Sequence, residues 1–106
     1  MISFNVGKAV EFSEEKRIRK AIFKEPSMKI EMLCYLPGQA APLHHHPKED
    51  EVFYIIDGEA AMTVDGEERR LFSKELVFVP ANSKHCISNP GPGNLVAVFV
   101  KADRPQ

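Results

Sequence analysis

Residues 38–58 read GQAAPLHHHPKEDEVFYIIDG, and the reading of this stretch decides the rest of the chain. In extended backbone, residues i and i+2 share a face. His44 and His46 therefore point together, and His45 points away. After Pro47-Lys48-Glu49-Asp50 the chain enters a strand at Glu51, and an inward Glu51 takes Phe53 and Ile55 inward with it. A carboxylate heading an otherwise apolar face is costly to bury alone. A metal ion removes that objection. His44, His46 and Glu51 read as three ligands of one ion, and His85, later in the chain, reads as the fourth. On that later strand His85 shares a face with Ile87 and Asn89, while Cys86 and Ser88 face the other way.

Three neutral imidazoles and one carboxylate suit Mn, Fe, Co, Ni, Cu or Zn as divalent ions. They do not suit calcium or a cluster that demands thiolates. Four protein ligands on an octahedral ion leave two positions for water, substrate or dioxygen. The competing reading is a solvated His-rich surface loop. The spacing His-x-His-x4-Glu, followed by a distant His after Pro80, is the more specific signal and favours ligation.

Working outward, the punctuation is that of an all-β chain. Eight prolines and six glycines divide short runs rich in Ile, Val, Phe and Tyr, the pattern of a sandwich or barrel. Residues 28–36 alternate, with Met28, Ile30, Met32 and Cys34 on one face and Lys29 and Glu31 on the other. Glu51–Ile56 is expected to end at Asp57-Gly58, a hairpin signal, with 60–64 returning from it. Asp65-Gly66 turns the chain into 68–72. Leu76–Val79 reads as a short buried strand stopped by Pro80, and 84–88 and 95–100 as the last two strands. Residues 17–23 read as a partly exposed basic and apolar strand. Residues 2–6 and 9–12 are weak strand candidates, and Ser13 is a candidate helix cap. No window carries a sustained 3.6-residue stripe.

Composition narrows the function classes. The 106 residues and 11.9 kDa correspond to one domain, 1–106. A net charge of −1 and a pI near 6.4 leave no basic surplus for nucleic acid or an anionic membrane. The N-terminal residues hold no apolar run long enough for a signal peptide or a membrane span, so a cytoplasmic protein is expected. Cys34 and Cys86 cannot build a disulfide framework.

The segment Gly38-x5-His44-x-His46-x4-Glu51-x6-Gly58 resembles the first motif of the cupins in full. Pro80-x-Asn82-x2-His85-x3-Asn89 resembles their second, which opens Gly-x5-Pro-x-Gly. Lys74 stands at its first glycine and Asn82 at its second. Asn tolerates left-handed backbone better than most residues, and at Lys74 a local adjustment is expected. The resemblance implies a jelly-roll β-barrel, or double-stranded β-helix. It implies one divalent transition metal held by His44, His46, Glu51 and His85. It also implies a homodimer, for which the strand at 17–23 is the candidate contact.

For function, two classes follow. One is an enzyme of the dioxygenase, isomerase, decarboxylase or lyase type, acting on a small oxygenated organic substrate. There Glu51 is a candidate base if the other three ligands hold the ion. The other is a binding or sensor module with a structural metal. Tyr35 is a candidate hydrogen-bond donor to a substrate, and Tyr54 is expected to face outward. Cys34 reads as a buried apolar residue, or alternatively as a thiol in the pocket wall. Glu49 and Asp50 read as solvated, or as orienters of a ligand imidazole. Asn89 is expected to brace the loop that follows His85. Phe53, Ile55, Met62, Phe78 and Phe99 are candidates for the core or the pocket wall.

Overall fold

The computed structural model describes residues 1–105. A one-turn helix, α1 (Val6–Ala9), precedes eight strands: β1 (Ile18–Lys24), β2 (Met28–Tyr35), β3 (Glu49–Asp57), β4 (Glu59–Val64), β5 (Glu67–Phe72), β6 (Leu76–Val79), β7 (His85–Ser88) and β8 (Leu95–Asp103). They form two antiparallel sheets in the orders β1-β2-β8-β3-β6 and β5-β4-β7. This is the expected jelly-roll barrel. No helix among the described residues is long and apolar enough to cross a membrane.

β8 lies at the centre of the larger sheet, between β2 and β3. Its Leu-Val-Ala-Val-Phe-Val run fits that place, because a central strand meets protein on both faces. The flanking edges are polar or short. β5 (EERRLF) buries only Leu71, and its charges blunt the edge.

The barrel interior is one apolar cluster that draws on both sheets. It includes Leu33, Phe53, Ile55 and Phe99 from the larger and Ala60, Met62, Leu71 and Ile87 from the smaller. Phe53 and Phe99 stack with centroids 5.1 Å apart. A second cluster lies on the outer face of the larger sheet, where Ile18, Met32, Cys34 and Val96 meet Val6, Ala9 and Phe12. Strand alternation makes both: along β2, Leu33 and Tyr35 turn inward while Met32 and Cys34 turn outward.

That second cluster explains the N-terminal segment. Residues 2–6 and 9–12 are not strands, and no helix starts at Ser13, whose hydroxyl instead accepts from the Glu15 N–H at 3.2 Å. The chain lays α1 on the sheet, with the Asn5 side chain capping it through the Lys8 N–H at 3.1 Å. Val6, Ala9 and Phe12 are covered by a sheet face rather than by strand neighbours, so period-2 reading misses them.

Asp57-Gly58 does not make a hairpin. β3 pairs with β6 and β8, and β4 pairs with β5 and β7, so this corner carries the chain from one sheet to the other. A Cβ at Gly58 would sit 2.2 Å from the Asn94 carbonyl oxygen, and φ there is +88°. Glycine is required on both grounds. The tight hairpin is β4–β5, where Asp65 and Gly66 both take positive φ. β6 is an edge strand rather than a buried one, and Phe78, at 58% exposure, lies outside the core and away from the cavity beside the histidines. Val77 and Val79 take the inner face instead, against the core cluster.

Lys74 and Asn82 hold φ of +75° and +67°. The left-handed turns that glycines would adopt are thus kept without glycine. Lys74 N–H donates to the Ile55 carbonyl at 2.7 Å, and Asn82 N–H to the His46 carbonyl at 2.8 Å. Those bonds hold the two strained residues in place.

Candidate metal centre

Glu51 enters the barrel from β3 in the larger sheet and His85 from β7 in the smaller, each only 2% exposed. His44 and His46 come from the segment before β3. The backbones of His44 and His85 pair directly, exchanging N–H to carbonyl bonds of 3.0 and 2.8 Å. His45, between the two histidines, is exposed. One potential ligand atom from each of His44, His46, Glu51 and His85 can be chosen so that all four lie within 4.8 Å of one another. Around an ion with bonds of about 2.1 Å, donors would be about 3 to 4.2 Å apart, so a small inward adjustment closes this set on an ion.

The far side of two rings is already committed. His44 Nδ1–H donates to the Pro42 carbonyl at 2.7 Å and His85 Nδ1–H to the Ser83 carbonyl at 2.9 Å. A carbonyl only accepts, so both rings carry the proton on Nδ1 and present a bare Nε2 inward. His46 has Glu49 Oε1 at 3.6 Å from its Nδ1 and Glu51 Oε1 at 3.5 Å from its Nε2.

The inner atoms are left unanswered. His85 Nε2 and Glu51 Oε1 are buried 3.0 Å apart, yet neither has a hydrogen-bond partner of proper alignment. Buried polar atoms without partners are rare in native proteins. Two bare acceptors facing each other are repulsive unless a cation or a proton lies between them. The donor chemistry, the convergence and the orphaned atoms all fit a divalent transition metal.

The same contacts bias the imidazoles when no ion is bound. Burial penalises the His85 imidazolium, but the neighbouring Glu51, the Ser83 carbonyl and Asp65 outweigh it and hold its pKa above the ordinary value. At His46 burial prevails over Glu51 and Glu49, and its pKa is lowered.

Asp50 turns away from the site. It accepts from the Ala81 N–H at 2.8 Å and binds Arg104, and the Arg104 bond holds its pKa down. It fastens β8's C-terminal extension to the turn ahead of His85. Asn89 braces the following loop as expected, donating to the Tyr35 and Gly93 carbonyls at 2.8 and 2.9 Å. Cys34 is buried in the outer cluster, so it is not a pocket-wall thiol, and both cysteines are free.

A cavity of about 130 Å³ opens beside His44, His46 and Glu51, with Leu33, Phe53, Ile87 and Phe99 among its walls. Tyr35 also lines it and Tyr54 does not. Arg17, Arg19 and Lys101 complete the lining. The sequence alone puts the first two on a strand edge for contact between copies. Their signal is the alternation Arg17-Ile18-Arg19, which sets the two cations on one face, but nothing local says that this face looks into the barrel.

Comparison with known proteins agrees with this geometry. The chain is 40% identical over 55 residues to the tetracenomycin polyketide synthase protein TcmJ of Streptomyces glaucescens, covering 52% of this chain and 37% of that protein. It is 29% identical over 104 residues to an Escherichia coli mannose-1-phosphate guanylyltransferase, covering 84% of this chain and 22% of that enzyme. The chain thus spans well under half of these curated relatives. The solved structure of the protein TT1209 from Thermus thermophilus superposes with a TM-score of 0.92 at 28% identity, covering 99% of this chain and all of that one. A Klebsiella pneumoniae protein with a double-stranded β-helix domain superposes with a TM-score of 0.87 at 24% identity, over 95% and 89% of the two chains. The Cupin domain model matches residues 31–101, a span that holds all four clustered residues and most of the cavity lining, and the chain belongs to that family.

Proposed function

We propose that this cupin binds one divalent transition metal through His44, His46, Glu51 and His85, and that it acts on a small oxygenated organic molecule in the adjoining cavity. The observation that carries the reading is the buried pair His85 Nε2 and Glu51 Oε1, 3.0 Å apart and without hydrogen-bond partners. A metal there would act as a Lewis acid toward a carbonyl, carboxylate or enolate oxygen, or support dioxygen chemistry if it is iron. The protein's own part is to hold the imidazoles in one tautomer, to exclude water with the Phe53 and Phe99 walls, and to leave one side of the ligand set open to the cavity. The relatives named for polyketide synthesis and for mannose-1-phosphate support oxygenated small molecules as the class. The short spans they share do not carry over either reaction.

A second reading, a non-catalytic binding module, is favoured by one observation. Every carboxylate and imidazole lining the cavity is itself a candidate ligand. A base would therefore have to be a ligand that lets go, and Glu51 is the candidate. Pairing of two copies along the outer edge of β1 is proposed on the strand's position at the end of its sheet.

The test is metal content by mass spectrometry, on untagged wild type and on His85→Ala together. About one equivalent in the wild type and little in the variant is expected. No metal in the wild type after reconstitution overturns the reading. A loaded protein that binds candidate compounds and returns them unchanged selects the binding module.

A further inference from the structure

The cavity has a second polar end, which the metal reading does not use. Tyr35 is completely buried, and its hydroxyl, like Glu51 Oε1 and His85 Nε2, has no well-aligned hydrogen-bond partner among the described residues, with Arg17 offering only a loose contact. The same side chain lines the cavity. A buried hydroxyl without a well-aligned partner is costly, so a barrel that needed only an apolar wall here would be better served by Phe.

Charge at this end is unbalanced. Glu31, 4% exposed, accepts from Arg19 Nε at 2.8 Å on one oxygen and faces Lys101 Nζ at 3.6 Å on the other. Arg17, half-buried and also in the lining, forms no ion pair among the described residues. It stands just before β1. The β1–β2 register, Ile18 opposite Cys34, continues to Arg17 opposite Tyr35. Burial pushes the Tyr35 phenol up, and Arg17, by its charge and a loose hydrogen bond, and Arg19, by its charge, pull it part of the way back. Of the three cations at this cavity, Arg19 and Lys101 are answered by the one carboxylate Glu31, and Arg17 is left over.

We propose that the cavity takes a small organic oxyanion, a carboxylate or a phosphomonoester. Its charged group lies between the Arg17 guanidinium and the Tyr35 hydroxyl, and a second oxygen turns toward His44, His46, Glu51 and His85. A planar guanidinium offers paired donors to either anion, and the hydroxyl supplies one more. Glu31 serves as the counterweight. It fixes Arg19 and Lys101 so that the net attraction concentrates on Arg17. The end turned to the four ligands rests on the metal reading above, and the Arg17 end does not.

The test is calorimetric titration at low salt of the metal-loaded and the metal-stripped protein. The probes are pyruvate, 2-phosphoglycolate and uncharged 1,2-propanediol. The wild type should bind at least one of the anions, more tightly when loaded, and should not bind the diol. Arg17→Gln should weaken the anion about tenfold or more, and Tyr35→Phe about threefold or more. Metal content should be unchanged in both. Tyr35→Phe deletes a hydroxyl whose one contact, with Arg17, is loose, so its thermal midpoint should stay close to that of the wild type. Anion binding indifferent to both variants, equal binding of the diol, or no anion binding at all overturns the proposal. If no metal loads but anion binding still depends on Arg17, the metal reading falls and this one stands. If metal loads normally and Arg17 is immaterial, this one falls alone.

Discussion

Two carboxylates are buried inside the barrel, and the protein treats them in opposite ways. Glu31 on β2 is answered on both oxygens, by Arg19 and by Lys101. Glu51 on β3 has neither a Lys or Arg partner nor a proper hydrogen bond among the described residues, only the ring nitrogens of His46 and His85 beside it. Both residues are nearly inaccessible, at 4% and 2% exposure, so burial does not separate them. What separates them is whether the sequence supplies the compensating charge. A buried charge that serves the fold is paired within the chain. One left beside imidazoles fits pairing by an ion from outside, as proposed above.

The contrast predicts opposite responses to the same chemical change. The largest effect is on Glu51→Gln, which should weaken metal binding about a hundredfold or more in competition with a chromophoric chelator, since even an outer partner of a ligand is worth 10–100-fold. The stripped variant should be no less stable than the stripped wild type at pH 8, because an amide can donate to the bare His85 nitrogen. A clear fall in its denaturant midpoint would break the comparison. Next is Glu31→Gln, which should leave metal content intact and cost about 1–2 kcal/mol in chemical denaturation, a figure kept small because Arg19 is half exposed. Metal loss in that variant would show that the two carboxylates are not independent.

The smallest effect is a pH dependence, and it sharpens the contrast. In stripped protein the raised pKa of His85 adds stability that is complete below the ordinary value of 6.5 and is lost as pH climbs through its folded value. The lowered pKa of His46 adds stability that is present above 6.5 and is lost as pH falls through its folded value. Stripped protein should therefore be most stable near the middle of that range. An ion needs both rings neutral, so its stabilising increment should grow with pH. Thermal midpoints of loaded and stripped protein should diverge steadily from pH 6 to pH 8. A constant gap would count against imidazole ligation.

The unanswered carboxylate was legible in the sequence because its surroundings are local. His44, His46 and Glu51 lie within one short segment, strand alternation orients them, and Pro80 marks the approach to His85. The strands were legible for the same reason, down to the limits of Leu76–Val79. The answered carboxylate was not. Glu31 was correctly set apart from Met32 and Cys34, but alternation does not say which of two faces looks into a barrel. Its partners lie on the two strands beside it, Arg19 on β1 and Lys101 on β8, and only the sheet pairing brings both to Glu31. Asp57-Gly58 failed for a related reason. A turn sequence specifies a reversal of direction, and only the contact with Asn94 shows that the reversal also changes sheet. The N-terminal segment failed because the surface that orders it is built by β1, β2 and β8.

The direct backbone pairing of His44 with His85 also has a consequence in time. Before the two sheets meet, the chain can offer an ion only the local pair His44 and His46, and closing the long loop to His85 comes first. Capture by the proposed four-ligand set would thus be confined to barrels that have already closed. Parting of that paired backbone would withdraw His44 and His85 from the set together. The breathing of the barrel seam would then help set how long an ion stays at the site.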